Sequence, residues 1–187
     1  RHAYNRDIRR ADETLAAALA QLETDDGRPV FCLVHLFDPH LDYDPPEEFA
    51  RHTSAGLSAA GRPLRRADCS QVSPGQKEAV APEHAARVRA AYDAEVAFVD
   101  AEIGRFVAEL RARGELERTT IVLSADHGEE FWEHGAFEHG HSLYDELVRV
   151  PLLLLRPDEP RPDRAIDIPV RTAIAELGLS RARQVMA

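Results

Sequence analysis

The stretch TTIVLSADHGE, residues 119–129, decides the fold of this chain. An apolar run from Thr119 to Leu123 has the length of a buried strand, and polar residues follow it immediately. Ligands of open α/β sheets bind beyond the carboxyl ends of strands. Asp126 and His127 are therefore candidate ligands of one cation, with Gly128 permitting the backbone to turn there. The alternative is an ordinary polar loop at a strand end.

Two further histidine-bearing segments accompany this strand end. A nearly continuous apolar run, residues 30–37, predicts a second buried strand, and Asp38-Pro39-His40 follows it directly. Residues 133–141 then hold three histidines and two glycines, shortly after Asp126 and His127. Histidines bind metals or contact anions, although each segment taken alone is also compatible with an idle surface loop. Their convergence on one sheet edge indicates a metal-assisted site for an anionic substrate.

Alternating helical and strand patterns predict an α/β layer structure in one domain, residues 1–187. Residues 10–24 read as an amphipathic helix, and residues 83–113 as a long helix that Gly114 ends. A third buried strand is expected at 150–155, and a short helix at 171–177. Residues 51–82, rich in Ser, Gly, Arg and Pro, are expected to form a surface excursion. The long helix is expected to bury one stripe: Val88, Tyr92, Val96, Val99, Ile103, Phe106 and Leu110.

Composition excludes several classes of function. A net charge of −10 argues against nucleic-acid binding, which requires a basic surface. No apolar run approaches the about 20 residues of a membrane span. The two cysteines, Cys32 and Cys69, are too few for a disulfide framework. Gly-x-Ser-x-Gly, P-loop and dinucleotide-binding patterns are also missing from the sequence.

Three long segments, in this order and spacing, resemble the sulfatase branch of the alkaline phosphatase superfamily. They are FDPHLDYDPP at 37–46, TTIVLSADHGE at 119–129 and HGHSLYDELVRVPL at 139–152. The resemblance implies an α/β sandwich with a mixed central sheet, of which this chain is an incomplete fragment. It also implies hydrolysis of a small-molecule or saccharide sulfate ester.

The resemblance assigns roles residue by residue. Asp126 and His127 would be the late pair of divalent-metal ligands, and His40 would contact the sulfate group. His139 would bind the substrate at the ester oxygen and help the leaving group depart. His141 is a rival for that catalytic role. The remaining family-like residues are expected to orient or pack the structure: Arg149, Pro151, Tyr92, Asp93, Glu95 and Asp100.

The sequence also departs from the family pattern. The family's first metal ligands, an Asp-Asp pair, and its formylglycine motif should precede residue 10, and neither occurs. Cys69 is followed by Ser-Gln-Val-Ser, which does not match that motif. We therefore expect the formylglycine nucleophile on an N-terminal half outside this sequence. Residues 1–187 alone are expected to be inactive and prone to associate.

The sequence alone does not identify the metal or the substrate. Calcium is implied by the family, whereas the imidazole of His127 would also suit zinc or manganese. Two alternative functions keep the same fold. One is cleavage of a phosphodiester or phosphonate ester, or transfer of phosphoglycerol; the other is a degenerate domain that only binds.

Overall fold

The computed structural model describes residues 8–23, 28–52, 64–69, 80–157 and 183–185. Helices and strands are interspersed along these ranges, although three helices and then three strands follow one another in the middle of the chain. The elements are α1 (Ala11–Leu22), β1 (Cys32–Val34), α2 (Glu47–His52), α3 (Arg66–Cys69), α4 (Pro82–Ala112), a 3-10 turn (Leu116–Arg118), β2 (Ile121–Ser124), β3 (Glu130–Phe131), β4 (Phe137–Glu138), α5 (Asp145–Val148), β5 (Leu152–Leu155) and β6 (Arg183–Val185).

Both long helices are confirmed within two residues of their predicted bounds. The apolar side of α1 buries Ala11, Leu15 and Ala18, and the helix packs against α4. Within the described ranges, no helix is both long enough and apolar enough to pass through a bilayer.

The predicted stripe on α4 is only partly right. Val88 and Leu110 are buried, whereas Val96 is 42% exposed. Ala94 and Phe98 are buried instead, because α4 packs on three elements, α1, α2 and β3, and not on a single neighbour. Arg10 lies over the Phe98 ring, and Phe49 of α2 contacts the same ring edge to face.

The three predicted strands exist, but their predicted burial is wrong in the described structure. Strand β1 pairs in parallel with β6, whereas β2 pairs antiparallel with β5. Val122, Leu152, Leu153 and Leu154 are between 45% and 59% exposed. Successive residues of a strand point to opposite faces. Both faces of the β2–β5 pair therefore lack a covering layer among the described residues.

The main buried cluster joins the loop after β1 to α3 and α4. Tyr43 and Leu64 exchange two backbone hydrogen bonds of 2.9 and 2.8 Å. Leu64 and Cys69 are buried, which corrects the prediction that the whole of 51–82 lies at the surface. Burial raises the pKa of the Cys69 thiol to about 12. The rest of that excursion, 53–63 and 70–79, lies outside the described residues, as does the helix predicted at 171–177.

Aromatic residues of the β3–β4 hairpin complete this cluster. Phe131, Trp132 and Phe137 pack against the buried residues, and the Trp132 and Phe137 rings are stacked at 4.7 Å. Tyr92 of α4 contacts Tyr43 and Phe131 edge to face. The hairpin is thereby fixed to the long helix.

Glu95 connects α4 to the loop that follows β1. Its side chain is buried, and Oε1 accepts a hydrogen bond of 2.6 Å from the Asp44 backbone N–H. Desolvation, only partly offset by that bond, raises the pKa of Glu95 to about 8, and nearby Asp38 adds to the rise. The loop that carries His40 is thus anchored to the long helix by a carboxyl group.

Helix α4 ends in a Schellman motif. Gly114 has φ +69°, its N–H bonds the Arg111 carbonyl, and the Glu115 N–H bonds the Leu110 carbonyl. Gly114 therefore ends the helix as the sequence predicts.

We expect Gly114→Ala to destabilise the protein by about 1–2 kcal/mol, because a Cβ disfavours positive φ. The matched control is Gly104→Ala, which places the same methyl group on an exposed helical position with no atom within 4 Å. That change should stabilise by about 0.5–1 kcal/mol. Urea unfolding of the full-length protein measures both; equal effects would contradict the assignment of strain to position 114.

We expect Glu95 to make stability fall as pH rises from about 4.5 to about 8. In that window the folded state keeps a proton that the unfolded state releases, so its contribution is present at lower pH and lost at higher pH. The slope is at most about 1.4 kcal/mol per pH unit. The free energy of unfolding, measured across this pH range, should depend less on pH for Glu95→Gln than for wild type. Glu102→Gln, at a buried carboxylate that pairs with Arg105 instead, should keep the wild-type slope.

Candidate active site

Three histidines from distant segments meet beside the ends of β1, β2 and β4. His40 lies in the loop after β1, His127 follows β2, and His139 directly follows β4. The rings of His127 and His139 are stacked with centroids 4.0 Å apart, and the His40 ring meets His139 edge to face at 5.4 Å. The structure thus brings together three of the histidines that the sequence singled out.

Hydrogen bonds orient these rings. Nδ1 of His40 donates to the Leu41 carbonyl at 2.8 Å, and Nδ1 of His127 donates to the Gly128 carbonyl at 2.7 Å. Each bond places a proton on Nδ1, so that Nε2 can face a metal with its lone pair or an anion as a second N–H. Carbonyl or carboxylate partners on the other nitrogen are typical of histidines that bind metals or anions.

His139 is held by a carboxylate that the sequence analysis did not identify. Its Nδ1 donates to Glu129 Oε1 at 3.0 Å, and the Tyr43 hydroxyl donates to Glu129 Oε2 at 3.2 Å. The Glu129 side chain is only 6% exposed. Desolvation and the Glu129 charge raise the pKa of Tyr43, so this phenol stays protonated and serves as a donor. Its place directly after the Asp-His-Gly segment does not by itself distinguish an anchoring carboxylate from a solvated one.

Asp126 and His127 form a donor pair that fits a shared divalent cation. Asp126 Oδ1 lies 3.7 Å from His127 Nε2 and accepts a 3.0 Å hydrogen bond from the His127 N–H. The Asp126 carboxylate is 76% exposed and keeps coordination sites open. Among the described residues, no third His, Cys, Asp or Glu completes a ligand set with this pair.

His141 lies apart from the three stacked and edge-to-face rings. Its Nε2 donates to the Glu138 carbonyl at 3.1 Å, and its Nδ1 is 3.7 Å from Glu130 Oε2. Of the two histidines considered for the leaving group, His139 is therefore the one beside His40 and His127.

The Pro151 carbonyl accepts a hydrogen bond of 2.9 Å from Ser124, which ties the end of β2 to the residue before β5.

Gly128 sets the position of the following helix. Its N–H donates to the Leu147 carbonyl at 2.8 Å. A Cβ at this position would lie 2.0 Å from the Glu146 carbonyl oxygen, so only glycine permits the approach. The candidate metal-binding pair is thereby fixed against α5.

Curated proteins similar to this chain are sulfatases. An uncharacterized sulfatase of Escherichia coli, YidJ, is 36% identical over 73 residues, which are 39% of this chain and 14% of that protein. Bovine arylsulfatase K is 39% identical over 70 residues, covering 37% of this chain and 13% of its own length. The aligned part is thus a small fraction of these relatives.

Two solved structures share the fold. BT4656, solved in complex with its substrate D-glucosamine-2-N,6-O-disulfate, has a TM-score of 0.56 at 20% identity, with 79% of this chain and 43% of that chain covered. The phosphonate monoester hydrolase of Silicibacter pomeroyi has a TM-score of 0.59 at 23% identity, with 80% of this chain and 34% of that chain covered. The predicted alkaline phosphatase-like α/β fold is confirmed.

The family model described as Sulfatase matches residues 2–176, nearly the whole of the sequence. The resemblance drawn from three motifs is therefore confirmed, and this chain belongs to the sulfatase family.

Proposed function

We propose that the protein carrying this chain is a sulfuric ester hydrolase. The observation that carries the proposal is the convergence of His40, His127 and His139, each oriented through Nδ1, in a chain of the sulfatase family. A cluster of imidazoles offers donors and positive charge to an anionic ester. The similarity to bovine arylsulfatase K and the sulfated sugar bound by BT4656 support a sulfate ester as substrate.

His139 has the position of a group that assists the leaving oxygen. The Glu129 carboxylate accepts its Nδ1–H, which fixes the ring and directs Nε2 to the other side. A proton on Nε2 can then be donated to the departing oxygen, while the carboxylate stabilises the charged imidazole. Glu129 is a positioning residue in this scheme, and His40 would donate to a sulfate oxygen.

Asp126 and His127 would hold the divalent metal, with calcium favoured by the family and zinc or manganese as alternatives. Such an ion, when bound, polarises the ester and neutralises its charge. The nucleophile is proposed to be a formylglycine, for which residues 1–187 hold no matching motif. Cys69 is unsuited to that role because it is buried and its thiol pKa is raised to about 12.

We expect His139→Gln to lower kcat for an unactivated alkyl sulfate by about 10²–10⁴-fold, the usual value of a general acid. Glu129→Gln should cause a smaller loss of about 10–100-fold with little change in KM. For 4-nitrophenyl sulfate both losses should shrink, since its leaving group needs no proton. A merely structural defect would lower kcat for both substrates by the same factor. His35→Gln, at an exposed histidine, is the control that should retain wild-type kinetics.

A phosphonate or phosphodiester hydrolase is the second candidate, favoured by the fold match to the Silicibacter pomeroyi enzyme. We expect kcat/KM of the full-length protein to be higher for 4-nitrophenyl sulfate than for a phenylphosphonate monoester or bis(4-nitrophenyl) phosphate. The reverse order would favour the second candidate. Inactivity towards all three, with the metal present, would contradict both proposals.

A further inference from the structure

A second group of potential ligands lies between the β3–β4 hairpin and α5. Glu130, His134 and Glu146 each place a donor atom within 4.8 Å of the other two. None of these residues belongs to the cluster of His40, His127 and His139. We propose that this group is a Zn²⁺ site, distinct from the pair Asp126 and His127.

Glu130 supplies the independent reason to expect a cation. Its side chain is completely buried. Oε1 accepts hydrogen bonds from the backbone N–H groups of His134 and Ala136, at 3.1 and 2.9 Å. Oε2 is buried without a hydrogen-bond partner. A buried carboxylate requires a compensating charge, and the His141 Nδ1 atom lies 3.7 Å from Oε2.

The other two ligands are held in place before any metal binds. The His134 ring is stacked on Tyr144 with centroids 3.6 Å apart, and its Nδ1 lies 2.5 Å from Glu146 Oε1. The hydrogen bond from the Gly128 N–H to the Leu147 carbonyl fixes α5 relative to the preceding loop. Preorganised ligands lose little entropy on binding, which favours affinity.

The donor chemistry selects zinc over calcium. One imidazole and two carboxylates form a mixed nitrogen and oxygen set, and His141, whose Nδ1 lies 3.7 Å from Glu130 Oε2, is a candidate fourth ligand. Zinc accepts four such donors in a tetrahedral arrangement, whereas calcium requires six to eight oxygens. Without a metal, the same residues would form only a His134–Glu146 hydrogen bond beside the buried Glu130 side chain.

The test is zinc binding by the full-length protein, stripped with chelator and then equilibrated with ZnCl₂. We expect His134→Gln and Glu146→Gln to bind one zinc fewer per chain than wild type, measured by mass spectrometry of the metal. Both side chains are partly exposed, so folding is retained more readily than for a change at Glu130. Zinc should also raise Tm for wild type but not for these two variants.

Two controls separate this site from the catalytic one. Asp126→Asn should keep the additional zinc even though it removes activity, and X-ray absorption of that variant should show an imidazole and oxygens at about 2.0–2.2 Å. His35→Gln should bind as wild type. The proposal is overturned if His134→Gln and Glu146→Gln retain full zinc, or if only Asp126→Asn loses it. The result of this zinc-binding test does not depend on whether the protein hydrolyses sulfate esters.

Discussion

The candidate active site depends on one buried carboxylate. Glu129 accepts hydrogen bonds from His139 on one side and from Tyr43 on the other, and its side chain is almost completely excluded from solvent. Tyr43 in turn is paired through its backbone with Leu64 and contacts Tyr92 of the long helix. The orientation of His139 is therefore determined by the packing of the main buried cluster. Its position is a property of the fold as a whole.

The sequence identified the histidines of the site because each follows a strand or lies in a short glycine-rich segment. The end of a strand can be recognised from neighbouring residues in the sequence, and strand ends lie close together in an α/β sheet. Glu129 was missed for a physical reason. Its partner Tyr43 lies 86 positions away in sequence, and no local pattern distinguishes a carboxylate that anchors a histidine from one that is solvated. The separation of His139 from His141 likewise required coordinates.

Helices were predicted better than burial. The apolar spacing in α1 and α4, and the glycine that ends α4, are local signals that survive in the structure. Burial depends on which layers cover an element. The leucines of β5 are exposed among the described residues although their sequence resembles a core strand. Cys69 shows the opposite case, because a polar neighbourhood in sequence surrounds a residue that the loop after β1 buries.

The stretch from Asp126 to Glu130 assigns consecutive residues to separate tasks. Asp126 and His127 form the donor pair, Gly128 touches the backbone of α5, Glu129 reaches Tyr43 and His139, and Glu130 caps the hairpin amides. An insertion or deletion of one residue within this stretch would move the following side chains away from the partners that they contact here. Related chains should therefore vary in length around this pentapeptide while its own length stays invariant, and a library of single-residue deletions would find no tolerated position inside it.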